Sequence, residues 1–215
     1  MSPDTHLIIS IATLTLTPLL SALVIRYQLS EGHGYWRSQQ NYLREKERFG
    51  LRVNLLKRST SVMNKCHDLV THHHIYASSR DTAIALASAI DPQTSAYYKE
   101  EYERFRSKAA ESYLESRLLS SQISEIAVEA SVYFNIGIRQ HIIEYREKFK
   151  AAMAPPLSAE KVKEIVTEEL AATANPNDAR DKVAQIYDSK TGAEELAKEA
   201  GHILEQITRE VLDEG

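Results

Sequence analysis

Four of the chain's eight histidines and its one cysteine fall in Cys66-His67-Asp68-Leu69-Val70-Thr71-His72-His73-His74. Thiolate, imidazole and carboxylate are transition-metal ligands, and an ion needs each donor ~2.0–2.3 Å from its centre. Whether these donors converge depends on the element that carries them. Apolar residues recur through this region by threes and fours, so the element is a helix. Its side chains turn by about 100° per residue. His67 then shares a face with His74, Cys66 with His73, and Asp68 with His72. The first two pairs stand two turns apart, about 10.5 Å along the axis, which is too far for one ion. Asp68 and His72 are the candidate metal ligands that remain, and a third donor has to come from another helix. The expectation is no native metal, with His73 on a helix seam and the other histidines in solvent. Histidine titrates near neutrality, so a pH-sensing role is compatible with the stretch.

The helix that positions this stretch is one arm of an expected hairpin. From Leu55 a stripe steps by four and three through Ser59, Val62, Cys66, Leu69, His73, Tyr76, Arg80, Ala83, Ala87 and Ile90. That spacing is the mark of helices packed along a seam. Asp91-Pro92 ends the arm and restarts the next, with Asp as N-cap and Pro at the first helical position. A second run, through Tyr102, Phe105, Ala109, Ser112, Ser116, Leu119, Ile123, Ile126, Ala130 and Tyr133, keeps its phase at Gly137 and reaches about Lys150. Ala154-Pro155-Pro156 breaks it. Two long helices joined by a tight turn fold back antiparallel. The seam is expected to join Val62, Cys66, Leu69 and His73 to Ala109, Ser112, Ser116, Leu119 and Ile123, with His73 near Ala109 and Cys66 near Ser116. So many small residues bury modest apolar area, so further helices or another chain must complete the core.

On the N-terminal side, Leu7–Ile25 runs for 19 residues without a charge, within the ~17–25 that span a bilayer. No Lys or Arg precedes it; Arg26, Arg37, Arg44, Lys46, Arg48 and Arg52 follow. Positive flanks stay cytoplasmic, so the expectation is a single-pass anchor with its N-terminus outside and the bulk of the chain cytoplasmic. Tyr27, Tyr35 and Trp36 suit the headgroup level, and the basic run can attract anionic lipid. Within the span, Ser10, Thr13, Thr17 and Ser21 share one face and are candidates for packing against another transmembrane helix; Pro18 can kink it. Ser30–Gly34 is expected to interrupt the helical pattern.

After Pro156 the sequence is acidic and helical. From Leu157 onward 7 Lys and Arg face 14 Asp and Glu, a charge of −7, which leaves +3 of the chain's net −4 for the rest. Three short amphipathic helices are expected, divided at Asn175-Pro176-Asn177 and Lys190-Thr191-Gly192. They either form a small bundle or dock on partners.

The whole reads as all-α: an anchor (1–29), a long antiparallel hairpin (30–154) and an acidic helical segment (155–215). One cysteine excludes an intramolecular disulfide framework. No glycine-rich phosphate loop, nucleophile elbow or His-Glu-x-x-His motif is present, so no enzyme, no cofactor and no small-molecule substrate are expected. The acidic net charge and the lack of a nucleic-acid motif argue against nucleic acid. The expected function is a membrane-anchored helical scaffold whose partners are membrane lipid and other protein chains, its own copies included. The alternatives are an accessory subunit of a membrane complex and a signal-relaying helical module.

Overall fold

The computed structural model describes the backbone of residues 3–213, and side chains from residue 24 to 213 other than Gln93. All six elements are α-helices: α1 (Pro3–Ala89), α2 (Pro92–Tyr133), α3 (Ile136–Ala152), α4 (Ala159–Thr173), α5 (Pro176–Ser189) and α6 (Ala193–Asp213). The chain divides into two compact units, residues 1–50 and 51–215. Among the described residues no helix is long and apolar enough to cross a membrane. The side chains of the expected span Leu7–Ile25, with Ser10, Thr13, Thr17, Ser21 and Pro18, lie outside the described ones, save those of Val24 and Ile25.

In the first unit, α1 continues through Ser30–Gly34 where the sequence pattern suggested a break. Local bonds support it there: the Tyr27 hydroxyl donates to Glu31 (2.7 Å) and the Ser30 hydroxyl to the Tyr27 carbonyl (2.9 Å). Side chains along 24–50 stand almost wholly in solvent.

The second unit is built on the hairpin of α1 and α2. Asp91 caps α2, accepting from the Thr94 amide (3.1 Å) and hydroxyl (2.8 Å). The pairing extends from the Ser95 hydroxyl on the Ala87 carbonyl (2.8 Å), through Arg58 on Glu129, to Arg52 Nε on the Tyr133 carbonyl (3.0 Å). Counting outward from Asp91 gives the Ala87–Ser95 pair, and further along the arms the bonded partners lie about three residues on, as in Arg52–Tyr133. His73 bonds Ser112, one turn on from Ala109, and lines one pocket with Ala109.

The second arm is shorter than the periodicity implied. α2 stops at Tyr133, and Asn135 caps a new helix, accepting from the amides of Gly137 (2.9 Å) and Ile138 (3.2 Å). Asparagine favours this role, since its side chain offers the backbone an alternative to the helix ladder. α3 then doubles back along the hairpin. Arg146 donates to Ser124 (2.8 Å), the Tyr145 hydroxyl reaches the Met63 carbonyl (3.3 Å), and Ala152 arrives at His74. Folding back buries Ile138, Ile142, Tyr145 and Phe149, which a straight arm leaves with little cover.

Two cores result. One joins Leu55–Val70 of α1, Leu119–Ala130 of α2, α3 and α6. The other joins Ala77–Ala87 of α1 and Tyr98 of α2 to Val162, Ile165 and Val166 of α4 and Ala179, Val183 and Tyr187 of α5. The C-terminal helices thus spend their apolar faces on their own hairpin. Ser158 caps α4 by accepting from the Lys161 amide (3.3 Å), and Asn175 caps α5 with Pro176 in its first turn.

Candidate functional site

The donor-rich stretch lies on α1 where the two cores meet, and three neighbouring helices decide what each side chain can do. Cys66, Leu69, Val70, His73 and His74 are buried; Asp68 and His72 are exposed. His72 Nδ1 bonds the Asp68 backbone carbonyl at 2.7 Å, while the Asp68 carboxylate lies 3.4 Å from His67 Nδ1. The two candidate metal ligands are therefore turned to different partners. Among the described residues no group of three His, Cys, Asp or Glu side chains is placed to hold a metal ion.

Cys66 is a sealed thiol. Burial pushes its pKa up to about 12, against a smaller opposing effect of a hydrogen bond with Tyr145. Burial and Cys66 likewise hold the Tyr145 phenol above its ordinary range. A thiol held this way is no nucleophile at neutral pH.

His73 is 6% exposed, and its Nδ1 lies 2.7 Å from the Ser112 hydroxyl. Ser112 can also donate to the Ala109 carbonyl (2.9 Å). Burial, with His74 and Arg80 nearby, lowers the His73 pKa to about 4. So weak a base is poorly matched to taking a proton from a serine at neutral pH. The pair ties α1 to α2.

His74 is 2% exposed, not solvated as the sequence suggested. The end of α3 and Tyr187 of α5 cover it. Its Nε2 donates to the Ala152 carbonyl at 2.6 Å, its ring meets Tyr187 edge-on with centroids 6.1 Å apart, and its Nδ1 has no partner. Burial lowers its pKa, opposed by the Ala152 carbonyl. It also lines an open cleft of about 550 Å³ with Ser78, Asp181, Gln185 and Asp188.

About two turns on, a charge network around the buried Asp81 and Glu101 carboxylates appears that helical periodicity did not reveal. Arg80 grips the Asp81 carboxylate (2.6 Å), which also accepts from the Tyr187 hydroxyl (2.7 Å). The pair raises the Arg80 pKa. Glu101 of α2 bonds Arg180 of α5 and lies 3.7 Å from Arg104. The adjacent Arg80-Asp81 dipeptide is the sequence signal; the tyrosine partner lies 106 residues away.

The remaining seam positions, Val62, Ala109, Ser112, Ser116, Leu119 and Ile123, are all buried. Arg26, Arg37, Arg44, Lys46 and Arg48 are exposed along the first unit. No known protein family, curated protein or solved structure matches the chain.

Proposed function

We propose that the chain is a membrane-anchored helical scaffold, with Leu7–Ile25 as a single span, the N-terminus outside, and the helical body held at the cytoplasmic face for protein partners. The observation that carries this reading is the exposed helical stretch after the apolar segment. It presents Arg26, Arg37, Arg44, Lys46 and Arg48 together with Tyr27, Tyr35 and Trp36. A helix that leaves aromatics unburied beside arginines matches a headgroup layer, where rings sit at the interface and each basic residue adds ~1 kcal/mol against anionic lipid. The body supplies reach: α2, with 42 residues, is about 63 Å long. Partners meet its outer faces, since the inner faces of α3 to α6 are already covered by the hairpin.

The test is alkaline carbonate extraction of membranes from cells expressing the full chain, with protease protection of tags at each end. Retention in the pellet, with the C-terminal tag cleaved only from the cytoplasmic side, is the expected result. Release into the supernatant overturns the reading.

A further inference from the structure

The outer face of α2 carries a stripe that the fold leaves bare. Leu114, Leu118, Val128 and Val132 are 61%, 67%, 63% and 71% exposed. With Ser121 and Glu125 between them, they step by 4, 3, 4, 3 and 4, so all six lie on one narrow arc of the helix. Scattered single apolar residues on a surface need no explanation, but two apolar pairs aligned on one face at seam spacing, with a polar pair between them, do.

We propose that this stripe is a homodimer interface, on which a second copy of the chain packs its own α2 antiparallel about a two-fold axis near residue 123. Antiparallel packing puts Leu114 against Val132 of the second copy, Leu118 against Val128, and Ser121 against Glu125. Every apolar residue meets an apolar one, and a hydroxyl donor meets a carboxylate. The parallel alternative sets each residue against itself and brings two Glu125 carboxylates together mid-seam. Like charges directly opposite are unfavourable, so charge selects the antiparallel arrangement. The polar pair also fixes register, since a shift along the seam leaves Glu125 against leucine or valine. Arg58 supports the carboxylate from the same copy, standing 3.9 Å from Glu125 while it bonds Glu129 at 2.6 Å. A two-fold contact of this kind is self-complementary and closed, so it stops at two.

The stripe occupies about 27 Å of helix. A single helix pair of that length falls short of the ~800 Å² per partner of a standard stable interface. The dimer is therefore concentration-dependent. This inference does not rest on anchoring: release from membranes in the extraction test leaves the result below unchanged.

The experiment uses the full chain in detergent micelles. Copies carrying Leu114→Cys are mixed with copies carrying Val132→Cys and oxidised with a copper catalyst. The mixture is expected to form a disulfide-linked dimer, whereas either variant alone does not, because like positions stand about 27 Å apart across the axis. Cys66 is buried and does not compete. Both substituted residues are exposed, so the fold is retained, and circular dichroism checks it. In parallel, Leu118→Glu is expected to shift the monomer–dimer midpoint at least tenfold in a sedimentation series. Cross-linking of either variant with itself indicates a parallel pair and overturns the proposal. A mixture that stays monomeric, or a midpoint that Leu118→Glu leaves unmoved, overturns it as well.

Discussion

Along α1, the stretch from Leu55 to Val70 packs leucine, methionine and valine against Ile142, Tyr145, Phe149 and Ile203, whereas Ala77 to Ala87 is mostly alanine and polar residues. The same two long helices form the spine of both layers. In the first, bulky side chains from α3 and α6 fill the space. In the second, small residues let α4 and α5 come close, and the polar groups trapped there must find partners: Asp81 holds Arg80 and Tyr187, and Glu101 holds Arg180. The first core gains by removing apolar area from water. The second gains less of that and depends on polar contacts that add little net stability when satisfied and cost much when broken.

The contrast can be broken at its strong end first. Phe149 is fully buried, and Phe149→Ala is expected to cost about 3–5 kcal/mol in denaturant unfolding through lost transfer energy and a cavity. Cys66 provides a local readout, since its thiol is sealed in the same core; the variant should label faster with a maleimide under native conditions. A smaller loss should come from acid. His73 is held near 4 against an ordinary 6.5, and His74 is lowered too. His73 stays neutral in the folded protein down towards 4, so the unfolded chain binds more protons below about 6.5, and His74 acts in the same direction. The His73 contribution is intact above that pH and is lost as pH falls toward 4, by about 3 kcal/mol. Arg80, His74 and Asp81 face His73, and replacing it as His73→Gln should flatten this part of the stability–pH curve.

In the second core, Asp81→Ala strands the Arg80 guanidinium and the Tyr187 hydroxyl. Arg80 is 30% exposed, so water relieves part of the penalty, and about 2 kcal/mol is expected rather than the larger cost of breaking a fully buried pair. Amide exchange should quicken in α4 and α5 more than maleimide labelling of Cys66 does. The reverse order would sink the distinction between the cores. Asn135→Ala removes the cap of α3 and should cost about 1 kcal/mol, read as a lower unfolding midpoint with accelerated Cys66 labelling.

How much of this was visible beforehand depends on the range of the interaction. The seam of α1 and α2 and the turn at Asp91 follow from spacing and local capping, as do the breaks at Ser158, Asn175 and Gly192. The break at Asn135 was hidden because Tyr133 and Gly137 keep the heptad phase straight across it, and only tertiary burial of Tyr145 and Phe149 rewards folding back. The histidines show the same limit. Helical angles separated Cys66 and His73 from Asp68 and His72, but His74 owes its burial to Ala152 and Tyr187, far away in sequence. Asp81 likewise owes its burial to a distant partner, Tyr187 of α5.

The smallest predicted effect has the opposite sign and separates the two cores most cleanly. Ala174 ends α4 with φ 54° and ψ 15°, a left-handed conformation in which its Cβ is strained and glycine is not. Its amide bonds the Leu170 carbonyl at 3.0 Å, and Asn175 immediately caps α5, so the connection leaves it little freedom to relax. Ala174→Gly relieves the strain and, against the greater freedom of an unfolded glycine, should stabilise by roughly 0.5–1 kcal/mol. That gain is local to the joint between α4 and α5. If the second core opens as its own unit, the variant slows amide exchange in α4 and α5 and leaves Cys66 labelling at its original rate. If both readouts slow equally, the two cores open together, and the division drawn from their packing does not extend to their dynamics.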